Sequence, residues 1–333
     1  MAGSYRAINY SLRPAKTIER KLFCEVFRRL YPFGRIEQYR YVGFGSLYFS
    51  DFALVHRTLG IHNMLSIEKD VQAAESFRFN RPYRCIGLEF REASEVLSGL
   101  DWTSRTIAWL DYDGKLTEDV LSDIGTVSAR ASSGSVLIAS VNVQVESPPD
   151  EQVRTAFSEE TGMDFELDAF RLKCLSERIG RNVPADVSGA DLRGKGLAKV
   201  SHRVISNAIM DALSARNAAS DPSEKMRFEQ VVNLVYRDNA LMLSVGGVFY
   251  REAEIATLKA CAFEELGFVR SGPEYYEVHV PCLTVKEMHQ ISTLLPRDPN
   301  AGTISLPGVP AADIRHFAEL YRYFPAFAET VFT

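Results

Sequence analysis

The feature that most constrains this 333-residue chain is an alternation that runs from residue 39 to residue 143. Short apolar runs at Tyr39–Phe44, Met64–Ile67, Arg84–Leu88, Thr106–Leu110 and Ser135–Val143 are separated by stretches with apolar residues at helical spacing. Those stretches are Tyr48–Leu59, 70–79, Glu92–Leu97 and Thr117–Ala129, and Gly60 stops the first. Strands kept apart by helices cannot close as hairpins, so they call for a parallel sheet covered on both faces. Right-handed crossovers leave few ways to wind it. The expected fold is α/β, a doubly wound and mostly parallel sheet.

Around this unit the pattern changes. Residues 14–31 place Ile18, Leu22, Phe23, Val26, Phe27 and Leu30 on one helical face, with Pro14 in the first turn and Pro32 and Gly34 at the end. After Pro148-Pro149, residues 150–226 hold no strand pattern; helices are expected near Glu151–Glu159, Glu166–Arg178 and Lys199–Ala215, with a mobile loop at Asn182–Gly196. Gln230–Tyr236, the turn Arg237-Asp238-Asn239 and Leu241–Tyr250 read as an antiparallel hairpin, with Gly246-Gly247 at a bulge or strand end. A helix over Glu252–Leu266, a strand over Tyr275–Val280 and helices over Val285–Leu295 and Ala311–Tyr323 follow. The expected division is an N-terminal helical extension (1–38), the sheet domain (39–283) with a helical insertion at 150–226, and a C-terminal tail or small lobe (284–333).

Composition excludes several classes. With 46% hydrophobic and 24% charged residues the chain is neither disordered nor fibrous. MAGSYRAINYSLRPAK lacks the apolar core of a secretory signal and no window reaches a membrane span, so a cytoplasmic location without a membrane partner is expected. Five well-separated cysteines, Cys24, Cys85, Cys174, Cys261 and Cys282, argue against a disulfide framework or a structural zinc and for buried free thiols. The net charge of −5 hides an asymmetry: residues 1–40 carry nine Lys and Arg against three acids, and residues 171–203 carry eight against three. Were these two stretches to meet, they would form a positive surface and a candidate nucleic-acid contact; two solvated helix faces are the plainer reading.

The chemistry gathers at the strand ends. In Tyr41-Val42-Gly43-Phe44-Gly45-Ser46 the glycines fall between a strand and a helix, where missing side chains let the backbone turn and approach a ligand. Glu68 ends the second strand, a little over twenty residues on, where a carboxylate can accept both hydroxyls of a ribose. A dinucleotide fingerprint needs a third small residue where this chain has Tyr48, which compromises a pyrophosphate site. S-adenosylmethionine, with ribose, adenine and an amino-acid tail but no pyrophosphate, avoids that difficulty.

YVGFGS, SIEKD, GLEF and IAWLDYDG together resemble motifs I to IV of class I S-adenosylmethionine-dependent methyltransferases, over about residues 39–145. With NYSLRPAKTIERK, the chain is similar to bacterial proteins labelled O-methyltransferases and, more loosely, to the three-Cys-motif partner group. The resemblance implies that Gly43 and Gly45 line the methionine moiety with Ser46 beside them, that Glu68 holds the ribose, and that Glu89 and Phe90 flank adenine. It puts Asp111 next to the methyl group, with Asp111 or Asp113 as the proton acceptor; turn or cap roles compete for both. The base-methylating pattern lacks its two prolines here. A metal-dependent pattern is echoed by Asp111, Asp113 and Lys115, but Asn142 lacks its Asp companion, so no metal is expected. Arg13, Lys16 and Arg20 on the first helix are candidates for binding an anionic acceptor, against pairing of Lys16 with Glu19. His56 and His202 are read as structural. The expected activity is methyl transfer to an oxygen or nitrogen nucleophile of an unidentified acceptor. The alternative is a non-catalytic partner protein that kept the fold.

Overall fold

The computed structural model describes residues 13–298 and 302–325; Arg6 and the start of the NYSLRPAK run lie outside them. Eight strands form one sheet: β1 (Arg40–Gly43), β2 (Asn63–Ile67), β3 (Ile86–Glu89), β4 (Thr106–Lys115), β5 (Val136–Asn142), β6 (Met226–Arg237), β7 (Leu241–Arg251) and β8 (Tyr276–Val278). Their order is β3-β2-β1-β4-β5-β7-β6-β8. The first five are mutually parallel, β7 runs antiparallel to β5 and β6, and the short β8 is parallel to β6. This is the class I methyltransferase arrangement, extended by one edge strand. The winding reverses between β1 and β4, the switch point beyond whose carboxyl ends ligands bind in open α/β sheets.

Strand side chains alternate between two cores. Tyr41, Ile107, Trp109 and Ile138 join helices α1 (Pro14–Arg28) and α2 (Ser50–Leu59) and Phe77 of α3 (Ala74–Asn80) in one. Val42, Ala108, Leu110 and Leu137 join α4 (Ala93–Gly99), α5 (Glu118–Arg130) and the insertion in the other. Between β5 and β6 the chain forms α6 (Glu151–Thr161), α7 (Leu167–Ile179) and α8 (Gly196–Asn217), whose Val204, Ile205, Ile209 and Leu213 are buried.

Three local expectations fail for identifiable reasons. Asp111-Tyr112-Asp113-Gly114 is not a turn but a bulged continuation of β4, with the register shifting between Asp111 and Lys115. Tyr112 draws it inward: its hydroxyl donates to Asp123 at 2.7 Å and its ring meets Phe44 edge-on at 4.9 Å. The stretch 182–196 is a packed connection, where Leu192 is buried and a Ser188–Asp191 capping box closes a 3-10 turn. The helix expected over Glu252–Leu266 shrinks to α9 (Ile255–Ala260), because Ala262 turns left-handed at φ 49° and sends Phe263 into the core. The burial of Cys261 and Phe263 overrides local helix preference here.

At the C-terminus, α10 (Val285–Ser292) and α11 (Ala311–Leu320) share a small cluster of Ile291, Ile314 and Phe317. Leu320 joins the larger core, and Lys21 of α1 donates to the Phe324 carbonyl at 2.9 Å. Cys24 and Cys261 are buried, but Cys85 and Cys174 are only half-buried and Cys282 is exposed, against the expectation of uniformly buried thiols. No helix among the described residues is long and apolar enough to cross a membrane.

Candidate functional site

The carboxyl ends of β1, β2, β3 and β4 bring Gly43, Gly45, Glu68, Glu89 and Asp111 to one edge. Beyond β1 the chain bends back so tightly that the Gly45 N–H donates to Ser66 Oγ at 3.0 Å, and Ser66 donates to Glu68 Oε1 at 2.7 Å. A Cβ on Gly45 would stand 2.4 Å from Ser66 Oγ and 2.5 Å from Glu68 Oε1, so glycine is required by close approach. At Gly43 the added carbon would lie 3.0 Å from the Trp109 carbonyl. Ser46 Oγ accepts from the Tyr48 N–H at 3.3 Å, and the turn ends on buried Phe49 with φ 45°. A left-handed phenylalanine is a strained conformation that the surrounding packing must hold.

Glu68 is 7% exposed, and burial raises its carboxyl from 4.5 to about 8, against the hydrogen bonds from Ser66 and Gly45. Its N–H donates to the Glu89 carbonyl at 2.8 Å, tying the tips of β2 and β3 together. The Glu89 side chain accepts from Arg91 at 3.1 Å. Phe90 is half-buried, its ring 6.2 Å from Phe77 with the Arg78 guanidinium 5.1 Å from its centre. Asp51, from the first turn of α2, accepts from the Tyr41 hydroxyl at 2.9 Å, and burial raises its carboxyl.

At the tip of β4 the chemistry differs. Lys16 reaches from α1 to Asp111 at 2.7 Å, to Glu19 at 2.6 Å and to the Tyr236 hydroxyl at 3.0 Å. Two of its N–H groups donate to Asp111 and Tyr236, while Glu19 Oε2 is its ion-pair partner. Burial works to lower the Lys16 amine, but Asp111 and Glu19 outweigh it and hold it well above its ordinary value. The network continues inward: Ser244 donates to Glu19, Ser140 meets Ser244 at 2.7 Å, and Trp109 Nε1 donates to Ser140 at 3.0 Å. Asp113 is exposed on the bulge two residues further out.

The anion-binding expectation for the first helix is therefore corrected in part. Lys16 is 3% exposed and held between Asp111, Tyr236 and Glu19, and the pairing with Glu19 that competed with that expectation is present. Arg13 lies 4.0 Å from Asp238, and the charge of Arg20 acts on Asp51 and Asp238. Nor do the two basic stretches merge: α1 packs on one face of the sheet, and α7 and α8 on the other. Within the second stretch Arg178 pairs with Glu146, Lys195 with Glu277, Lys199 with Glu274 and Arg203 with Asp186. Ser66, Asp51 and Tyr41 complete the edge without having been expected there; a small polar residue two before the strand-end acid was the only signal.

A sheet reversed between β1 and β4, glycines at the end of β1 and a buried acid after β2 are the arrangement of the class I methyltransferase fold. More particularly, the chain matches the family described as "Putative O-methyltransferase" over residues 8–332, and it belongs to that family. A search of curated proteins finds no match. Solved structures of related fold include an O-methyltransferase from Bacillus cereus in complex with SAH, 12% identical, covering 74% of this chain and 86% of that one, with a TM-score of 0.37. Trm1 from Pyrococcus horikoshii, solved with S-adenosyl-L-methionine, is 8% identical, covering 76% and 58%, with a TM-score of 0.41. A structure described as a probable spermidine synthase from Corynebacterium glutamicum is 15% identical, covering 44% and 53%, with a TM-score of 0.33. The chain spans just over half the length of the last two.

Proposed function

We propose that the protein transfers a methyl group from S-adenosylmethionine to an oxygen nucleophile, with Asp111 receiving the proton. The observation that carries this reading is the hydrogen-bonded run Gly45–Ser66–Glu68 at the switch point, an acid with a glycine packed against it. The residues present fit the cofactor. Glu68 would accept the ribose hydroxyls, Gly43 and Gly45 would leave room for the methionine moiety, and Phe90 would offer an apolar surface to adenine. Burial raises the carboxyls of Asp51 and Glu68, and a cationic guest beside them would favour their ionised forms.

When bound, S-adenosylmethionine supplies a methyl group already activated by its sulfonium, so the protein has to align the acceptor and take its proton. Lys16 holds Asp111 Oδ1, which fixes the carboxylate and leaves Oδ2 to accept from an acceptor hydroxyl. Asp111 would take the hydroxyl proton as the methyl group leaves sulfur for the acceptor oxygen, the S–C bond breaking as the C–O bond forms and neutral S-adenosylhomocysteine departing, and solvent would later remove that proton. Asp113, exposed and further out, would contact the acceptor's periphery. The family description favours oxygen over nitrogen as the nucleophile.

The test is calorimetric titration with S-adenosylmethionine, S-adenosylhomocysteine and NAD, for the wild type and Glu68→Ala, followed by labelled-methyl transfer to hydroxyl-bearing acceptors with Asp111→Asn as control. Micromolar binding of the first two ligands, lost in Glu68→Ala, supports the reading. A folded protein that binds neither would refute it, and binding without turnover across acceptors would leave a non-catalytic partner protein.

A further inference from the structure

We propose that His56, His62 and Cys85 form a transition-metal site suited to zinc, at the end of the sheet opposite the cofactor edge. His56 lies in the last turn of α2, His62 directly before β2, and Cys85 directly before β3. All three therefore sit at the amino ends of strands whose carboxyl ends carry Glu68 and Glu89. One ligand atom from each residue lies within 4.8 Å of the other two. Cys85 Sγ is 3.7 Å from His56 Nδ1, and the two imidazoles meet edge to face at 5.0 Å.

The donor set matches zinc: borderline imidazole nitrogens with a soft thiolate. Zinc bonds of about 2.0–2.3 Å place tetrahedral ligand atoms roughly 3.5 Å apart, so closing the cluster takes a shift of about 1 Å. His62 is exposed and can supply that shift by rotating. His56 Nδ1 lies 2.8 Å from the Ile61 carbonyl. Nδ1 is also the ring nitrogen near Cys85 Sγ, so as a ligand it would give its lone pair to the ion in place of this contact with Ile61. Plain packing explains less. The His56 ring rests on Tyr83 at 4.5 Å and Cys85 packs against the larger core, but packing gives no account of the exposed His62 beside them.

On binding, the Cys85 thiol gives up its proton to solvent and its sulfur coordinates, while both imidazoles bind neutral, so the site carries one net positive charge. Three protein ligands leave a fourth position to water. The ion would clip the end of α2 to the start of β3 and stabilise that edge of the sheet.

Cobalt(II) titration of the untagged, reduced, full-length protein tests this. The expected result is the intense visible absorption of tetrahedral cobalt together with a thiolate-to-metal charge-transfer band, both bleached by one equivalent of zinc. Cys85→Ser should lose the charge-transfer band, and His62→Ala, a surface change that spares the fold, should weaken binding at least about tenfold. Zinc should raise Tm in the wild type and not in either variant. The proposal is overturned if folded wild type gives no tetrahedral spectrum at micromolar cobalt, or if the spectrum is the same in both variants. Binding of S-adenosylmethionine should be unchanged in these variants, which separates this site from the cofactor edge.

Discussion

The tip of β2 and the tip of β4 stand on the same edge of the sheet, yet they treat a carboxylate in opposite ways. Asp111 is met by Lys16, and behind it Glu19, Ser244, Ser140 and Trp109 continue a chain of polar contacts. Glu68 is buried with only the Ser66 hydroxyl and the neighbouring Gly45 N–H to support it, and its carboxyl is held up at about 8. Lys16 fixes one oxygen of Asp111 and leaves the other open, while the buried Glu68 has no cation against it. The contrast assigns recognition to the β2 tip and fixed geometry to the β4 tip.

The strongest way to break the comparison is to remove the cation. Lys16→Met leaves Glu19, fully buried, and Asp111 without their counter-charge, and removing one partner of a buried pair costs about 3–5 kcal/mol. Urea denaturation should show that loss, and Lys16→Met/Glu19→Gln should recover part of it; an additive double variant would mean that the pair is not coupled.

Glu68→Gln should act in the opposite direction. The carboxyl rises from 4.5 to about 8 on folding, so between those values the folded state binds more protons than the unfolded one, and stability falls as pH rises. The burial penalty is absent below about pH 4.5, grows through neutrality and levels off above about pH 8. A neutral amide escapes that penalty, so the substitution should stabilise the ligand-free protein by at most roughly 3 kcal/mol at pH 7, from about 1.36 kcal/mol per pKa unit, while weakening S-adenosylmethionine binding. If the cofactor binds ionised Glu68, wild-type affinity should improve with pH up to about 8 and then level off, and this dependence should vanish in the variant. A wild-type profile as flat as that of the variant would place the cofactor elsewhere.

How much of this was legible in the sequence follows the same division. The five parallel strands and the glycine–acid pair were readable because each rests on local signals: apolar runs, helical spacing, Gly60 as a stop and Glu68 at a strand end. Of the Lys16 network only the pairing with Glu19 was, because the rest joins residues 95 and 220 positions apart whose meeting depends on how α1 crosses the sheet. Tyr112 shows the same limit, since Asp-Tyr-Asp-Gly has the composition of a turn and only the Asp123 carboxylate on α5 makes it strand. The His56–His62–Cys85 grouping escaped for a related reason: three strand-and-helix ends had to be folded together before lone residues became a cluster.

Smaller changes sharpen the picture at the β2 tip. Gly45→Ala would drive a methyl against Ser66 and Glu68, so it should cost about 1–3 kcal/mol and abolish cofactor binding at the same time. Ser66→Ala is the mildest. It removes one hydrogen bond to Glu68, a net loss of about 1 kcal/mol, and takes the acceptor from the Gly45 N–H. Because that hydrogen bond favours the ionised form, its loss should push the Glu68 carboxyl above its wild-type position and move the pH profile of cofactor binding to higher pH. Calorimetry from about pH 6 to about pH 9 would read that displacement around the wild-type carboxyl. A weakened but unshifted profile would mean that Ser66 only props the turn after β1 and does not tune the acid beside it.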